Sequence, residues 1–252
     1  MDIYAVIAGE LGVRRTQVEA AAALLDEGNT VPFIARYRKE ATGSLDDQVL
    51  RSLSDRLAYL RGFEARRQEI YRKIDEQGHM TDAVAAMLSG AKTMAELEDV
   101  YRPYRPRRKT RASAAREQGL APLAELLLAQ EPSSPPPLAL AQAYVSEEKG
   151  VPDAETAVQL AQDILAEQIS DDAAIRANLR ALYRRTGVLR SVAAKEGESV
   201  YAQYADYREP VLRAAGHRIL AINRGEREEW LKVAVECDDE QAMQIICRAV
   251  IR

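Results

Sequence analysis

The stretch 101–116 reads "YRPYRPRRKTRASAAR" and holds seven cations and no acid. Arg102, Arg105, Arg107, Arg108, Lys109, Arg111 and Arg116 are each able to meet a phosphate oxygen. Tyr101 and Tyr104, interleaved with them, are able to stack on bases or on arginine planes. Such an arm would bind backbone charge without reading sequence. The competing use of the same cations is internal. The chain as a whole carries a net charge of −4, so the body outside the arm is strongly acidic and could dock it on its own helix faces. The sequence weighs the two about equally.

A second charged cluster lies in "NTVPFIARYRKEATGSLDD" (29–47). Arg36, Arg38 and Lys39 could contact phosphate, or could pair with Glu40, Asp46 and Asp47 across a turn at Gly43. Three acids within a few residues favour pairing, which makes this stretch an architectural joint. Thr30 is a suitable N-cap and Pro32 fits a first helical turn, where its missing N–H costs little. Val31, Phe33 and Ile34 are expected to point inward, with Arg36 to Glu40 as the last turn. Gly43 closes it, and "SLDD" has the capping-box shape that starts a new helix.

No constellation for catalysis stands out. His79 and His217 are isolated, and Cys237 and Cys247 have neither zinc-knuckle spacing nor a nearby histidine. A phosphate-binding loop and a G-x-S-x-G elbow are both missing, and the carboxylates are spread over helix faces. The expectation is a non-enzyme with no cofactor and no metal.

Composition sets the frame. Of 252 residues, 47% are hydrophobic and 29% charged, enough for a sizeable core and a solvated surface. Every apolar run meets a charge within a turn or two, so no membrane span is expected. The start "MDIYAVIAGELGVRR" lacks a basic n-region, and two thiols without a secretion signal suit a reducing compartment. The expected location is the cytoplasm.

The elements that must carry these clusters are mostly helical. Ile3, Val6, Ile7 and Leu11 share a helical face that ends at Gly12, and Val18, Ala21, Leu24 and Leu25 mark a second helix over 14–27. Ala8, Gly12 and Val18 have the small–glycine–aliphatic spacing of a helix-turn-helix, a spacing that any packed helical hairpin also needs. From Leu45 to about Gln77 runs one long helix, roughly 50 Å at about 1.5 Å per residue, with Gly62 as its one interruption. Its stripe of Leu50, Leu53, Leu57 and Leu60 breaks at Glu64 and Arg67 and resumes, shifted, at Phe63, Ile70 and Ile74. That pattern fits a rod on which others pack better than a coiled coil. Thr81 and Thr93 look like caps. Pro103 and Pro106 keep the arm out of regular helix. Further helices are expected over 112–118, 121–130, 138–145, 153–169, 171–186, 198–206 and 209–224, and over the final amphipathic stretch. "GVLRSVAAK" and "WLKVAVE" are the strand candidates, paired with each other. The fold class is therefore mainly α: a helical array around one long central helix with at most a small β-hairpin. The Pro/Ser loop 131–137 divides a first region, 1–130, from a second, 138–252.

Three blocks together resemble one family. "NTVPFIARYRKEATGSLDD", "VYRPYRPRRKTRASAAREQGLAPLA" (100–124) and "HRILAINRGERE" (217–228) look like successive signatures of the Tex family of bacterial transcription accessory proteins. After the third block the family usually has a glycine, where this chain has Glu229 and Trp230. The resemblance implies an N-terminal helical region with a helix-turn-helix-like element around a long central helix. It also implies that full-length members continue into a YqgF-like domain, a helix-hairpin-helix region and an OB-fold RNA-binding domain, which this sequence does not include. The expected role is a non-catalytic scaffold and auxiliary contact for RNA or DNA. The alternative is a module docking on the transcription or translation machinery through acidic helix faces.

Overall fold

The computed structural model describes residues 1–106 and 109–251. They form two compact units, Met1–Tyr101 and Arg102–Arg252. The division falls ahead of the 131–137 loop, because the helices between the arm and that loop share a core with the helices beyond it. No helix among the described residues is long and apolar enough to cross a membrane.

In the first unit, α1 (Ile3–Leu11) starts at Asp2, whose carboxylate accepts from the Ala5 N–H, and ends at Gly12 in the left-handed region. α2 (Arg15–Asp26) buries Val18, Ala21 and Ala22. The short α3 (Val31–Tyr37) has Pro32 in its first turn and buries Ile34 alone. α4 (Asp47–Glu76) is one unbroken helix of 30 residues, about 45 Å long, and Gly62 does not interrupt it. Its N-cap is Asp46, which accepts from the Val49 N–H at 2.8 Å; Ser44, the cap expected from "SLDD", lies in the preceding turn at φ +66°.

The buried stripe of α4 follows the expected residues. Leu50, Leu53, Leu57 and Leu60 pack with Ile7, Val18, Ala21, Ala22 and Ile34. Glu64 and Arg67, which break the stripe, satisfy each other at 2.5 Å on the flank of the helix. Beyond them Phe63, Ile70 and Ile74 are buried. There α4 packs with α5 (Asp82–Gly90), capped by Thr81, and with α6 (Met94–Tyr101). α6 opens with the reciprocal box expected at Thr93. The Thr93 hydroxyl accepts from the Glu96 N–H, and the Glu96 carboxylate accepts from the Thr93 N–H, both at 3.3 Å.

The second unit is organised on α10. α7 (Arg111–Glu117), α8 (Ala121–Ala129) and α9 (Pro137–Ala141) lay small and aliphatic side chains, among them Ala115, Leu123 and Ala141, against Ala157, Ala161 and Ile164 of α10 (Ala154–Asp171). Small residues here let the helices approach closely. α11 (Ala173–Thr186) follows, with Asp172 as its cap. The sheet that comes next is antiparallel in the order β2-β1-β3, from β1 (Val188–Ala193), β2 (Asp206–Pro210) and β3 (Leu231–Glu236).

β1 and β3 pair as expected, but β2 is a correction. The regions read as helices 198–206 and 209–224 contain a 3-10 turn at Ala202–Tyr204, the strand β2, and then α12 (Gly216–Arg227). "DYREP" has no β-branched residue. It becomes a strand because β1 offers it a free edge, with Leu189 opposite Glu209 and Ser191 opposite Tyr207. Its charges and terminal proline suit an edge strand, where they discourage further pairing. The final α13 (Asp239–Val250) is capped by Asp238.

Candidate nucleic-acid interface

The arm leaves α6 through a 3-10 turn at Arg102–Tyr104 and enters α7 at Thr110. As the prolines predict, no α-helix forms between them among the described residues. Arg102 donates from Nε to Asp171 at 2.7 Å. The Thr110 hydroxyl donates to one oxygen of Glu167 at 3.0 Å, and Arg116 donates to the other at 2.5 Å. Arg111 lies 3.5 Å from Asp163. Asp163, Glu167 and Asp171 are four residues apart on α10, so they form one stripe on one face. All three carboxylates are largely shielded from solvent. The inner side of the arm is therefore clamped to an acidic rail.

Its outer side is different. The Arg111 side chain is 86% exposed and that of Lys109 is 72% exposed. Lys109 meets Glu117 at 3.2 Å, again at the surface. Arg105 is exposed and Tyr104 half-buried. Arg107 and Arg108, expected to contribute, lie outside the described residues. Tyr101 is a correction: it is buried, with the Arg66 guanidinium 5.4 Å and the Lys73 ammonium 5.9 Å from its ring centre. Both cations come from α4, so this ring closes the helix packing of its unit and is not offered to a base.

The sequence reading did not single out the acidic rail. Its signal is there, since acids at 163, 167 and 171 repeat with helical spacing and the arm holds cations without acids.

The joint at 29–47 also differs from expectation. Phe33 is 39% exposed and Tyr37 63% exposed, where Phe33 was expected in the core. α3 is two turns long, and packing Ile34 inward leaves Phe33 on the open side. The expected charge pairing is absent as well. Asp46 is spent on the α4 cap and Asp47 pairs with Arg51 at 2.7 Å. Among the described residues, Arg36, Arg38 and Lys39 make no ion pair.

The three quoted blocks therefore fall on a helix joint, a clamped basic arm and α12 leading to β3. Comparison with known proteins places them together. Residues 1–75 match the Tex-like protein N-terminal domain, and residues 132–252 match the Tex central region-like model. The chain belongs to the Tex family. It is 46% identical over 98% of its length to protein YhgF of Escherichia coli, covering 32% of that protein. It is 43% identical over 94% of its length to transcriptional accessory protein Tex of Neisseria gonorrhoeae, covering 31%. Over 94% of its length it is 30% identical to S1 RNA-binding domain-containing protein 1 of Pongo abelii, covering 24%. The chain thus spans about a third or less of the curated relatives it matches.

In this Tex chain the clamp has a measurable consequence. Glu167→Gln keeps the shape and removes the charge that holds Thr110 and Arg116. Arg116 is itself more than a third exposed, so screening limits the loss to about 1 kcal/mol. A urea melt at low salt should show that loss, and 1 M salt should shrink it. A variant as stable as its parent at low salt would remove the clamp.

Proposed function

We propose that this chain is a non-catalytic scaffold and auxiliary nucleic-acid contact within a cytoplasmic Tex-like transcription accessory protein. The observation that carries the reading is the two-sided arm. α10 fixes its inner face through Arg102, Thr110 and Arg116. Lys109 pairs with Glu117 at the surface and the Arg111 side chain, 86% exposed, reaches Asp163 only at 3.5 Å, so a phosphate can compete for both cations. A cation held at its base and exposed at its tip loses little conformational freedom on binding. The contact is to backbone charge, without sequence preference. The name of the S1 RNA-binding relative supports RNA as one ligand.

On the non-catalytic reading, the displaced carboxylates serve as ion-pair partners. Lys73 and Arg66 hold Glu69 down to about 2, Arg190 and Arg208 hold Glu236 low, and the Tyr207 hydroxyl and Arg218 do the same for Glu209. A general acid at neutral pH needs the opposite shift. The alternative, docking on other machinery through acidic helix faces, has one such face, the rail on α10, already engaged by the arm.

The test is binding of labelled single-stranded RNA and DNA across a salt series. If three arm cations meet phosphates, the arm should contribute about −2 to the slope of log K against log salt. Arg105→Gln, Lys109→Gln and Arg111→Gln together should remove that contribution and leave the melting temperature within a degree or two. An unchanged slope would refute the arm as the contact. In the same samples the nucleic acid should stay intact with Mg²⁺ or Mn²⁺, and chelator-sensitive cleavage that co-purifies with the protein would overturn the non-catalytic reading.

A further inference from the structure

We propose that the outer face of α3 and the turn after it form a second site, specific for single-stranded nucleic acid. Bases stack on Phe33 and Tyr37 there, and Arg36, Arg38 and Lys39 take the phosphates. This site lies in the first unit and shares no residue with the arm.

The aromatic pair is the first observation. Phe33 and Tyr37 are one helical turn apart, so their rings lie side by side, with centroids 5.2 Å apart and planes tilted by 46°. The tilt means that neither ring is stacked flat on the other, and Phe33 is 39% and Tyr37 63% exposed. Large exposed apolar groups are ordinary singly, but an adjacent pair set among cations is a stacking platform. Arg38 already lies 5.9 Å from the Phe33 ring centre, the outer limit of a cation–π contact.

The second observation is unspent charge. Elsewhere on this surface arginines find carboxylates: Arg15 pairs with Asp2 and Glu19, Arg51 with Asp47, Arg56 with Glu10, and Arg61 with Asp26. Arg36, Arg38 and Lys39 do not, although three acids follow within eleven residues of Arg36. Two of those acids are directed elsewhere, Asp46 into a helix cap and Asp47 to Arg51.

The third is the rigidity of the support. Thr42 is wholly buried, and its hydroxyl lies 3.4 Å from the Arg38 carbonyl oxygen and 3.3 Å from that of Lys39. Gln17 of α2 donates to the carbonyls of Thr42 and Gly43 at 3.2 and 2.9 Å. The backbone that carries the cations is thereby held in place before any ligand arrives.

Charge alone would admit an acidic peptide, and aromatics alone would admit an apolar one. A single strand supplies an aromatic face and a phosphate at every residue, so it satisfies both sets at once. A duplex does not, because its bases are stacked on one another inside the helix.

The experiment uses the full chain and a fluorescein-labelled single strand of uridines or thymidines. The comparisons are a duplex and an abasic strand of the same length. Phe33→Ala with Tyr37→Ala should weaken single-strand binding about tenfold or more, and Phe33→Tyr with Tyr37→Phe should restore it. The abasic strand should bind the parent as weakly as the ordinary strand binds the alanine variant. Arg36→Gln, Arg38→Gln and Lys39→Gln together should reduce the salt slope by about 2. Equal affinity of parent and both variants would overturn the site, as would equal affinity for single strand and abasic strand. The arm variants separate the two proposals. If arm substitutions abolish binding while the α3 variants match the parent, this site fails and the arm stands. If the α3 variants lose binding and the arm variants do not, the arm reading fails and this site stands.

Discussion

Truncating Phe63 to alanine is expected to destabilise the chain by about 3–5 kcal/mol, the range for a fully buried ring that leaves a cavity. Phe63 is the largest of the wholly buried side chains, at 1% exposure. It sits where the α4 stripe changes phase, after Leu60 and before Ile70. Its ring also lies nearly parallel to Tyr59, with centroids 6.4 Å apart. Helix on both sides fixes the backbone here, and the packing can collapse little around the void. The chain's other phenylalanine is the internal control. Phe33→Ala removes a half-open ring and should cost less than about 1 kcal/mol. Urea melts of the two variants decide the matter: costs within about 1 kcal/mol of each other would mean that the burial pattern of α4 is wrong.

That contrast shows where the sequence is legible. α4 has eight turns, so its apolar stripe is sampled often enough to fix its phase and even its slip at Glu64 and Arg67. α3 has two turns, and "VPFIARY" is compatible with several inward faces. Only the packed structure chooses Ile34 and leaves Phe33 outside. Caps are partly readable: Thr81 and Thr93 each bond to a backbone N–H three residues on, whereas Thr30 makes no side-chain cap bond and Asp46 takes the place expected of Ser44. β2 is not readable, because Tyr207 is the one strand-favouring residue in "DYREP", among charges and a proline, and the strand exists through its partner. The candidate site behaves likewise. The cations of the arm are plain in the sequence, but their division into a clamped side and an exposed side depends on α10, some fifty residues later, turning one face toward them.

Replacing Gly43 by valine is expected to cost about 2–3 kcal/mol and to weaken the proposed α3 site with it. Gly43 has φ +62° and is followed by Ser44 at φ +66°, so two left-handed residues in succession reverse the chain between α3 and α4. A β-branched side chain is the least able to adopt that backbone. Space is short as well. A Cβ at this position would lie 2.8 Å from Gln17 Nε2 and 3.2 Å from Arg14 Nη2. The Gln17 amide is the end of a flexible side chain and can retreat, but retreat breaks its bonds to the Thr42 and Gly43 carbonyls. Backbone strain and lost anchors therefore add. Gly43→Asn separates them, since asparagine tolerates the left-handed region while crowding Gln17 in the same way. It should cost about half as much as valine. Equal costs would assign the effect to crowding and not to φ, and a valine variant with the parent's melting curve would remove the turn altogether. Below its melting transition the valine variant should also bind a single strand less tightly. The turn it disturbs holds Arg38 and Lys39 through Thr42, and a cation whose backbone is no longer fixed must be ordered again at every encounter.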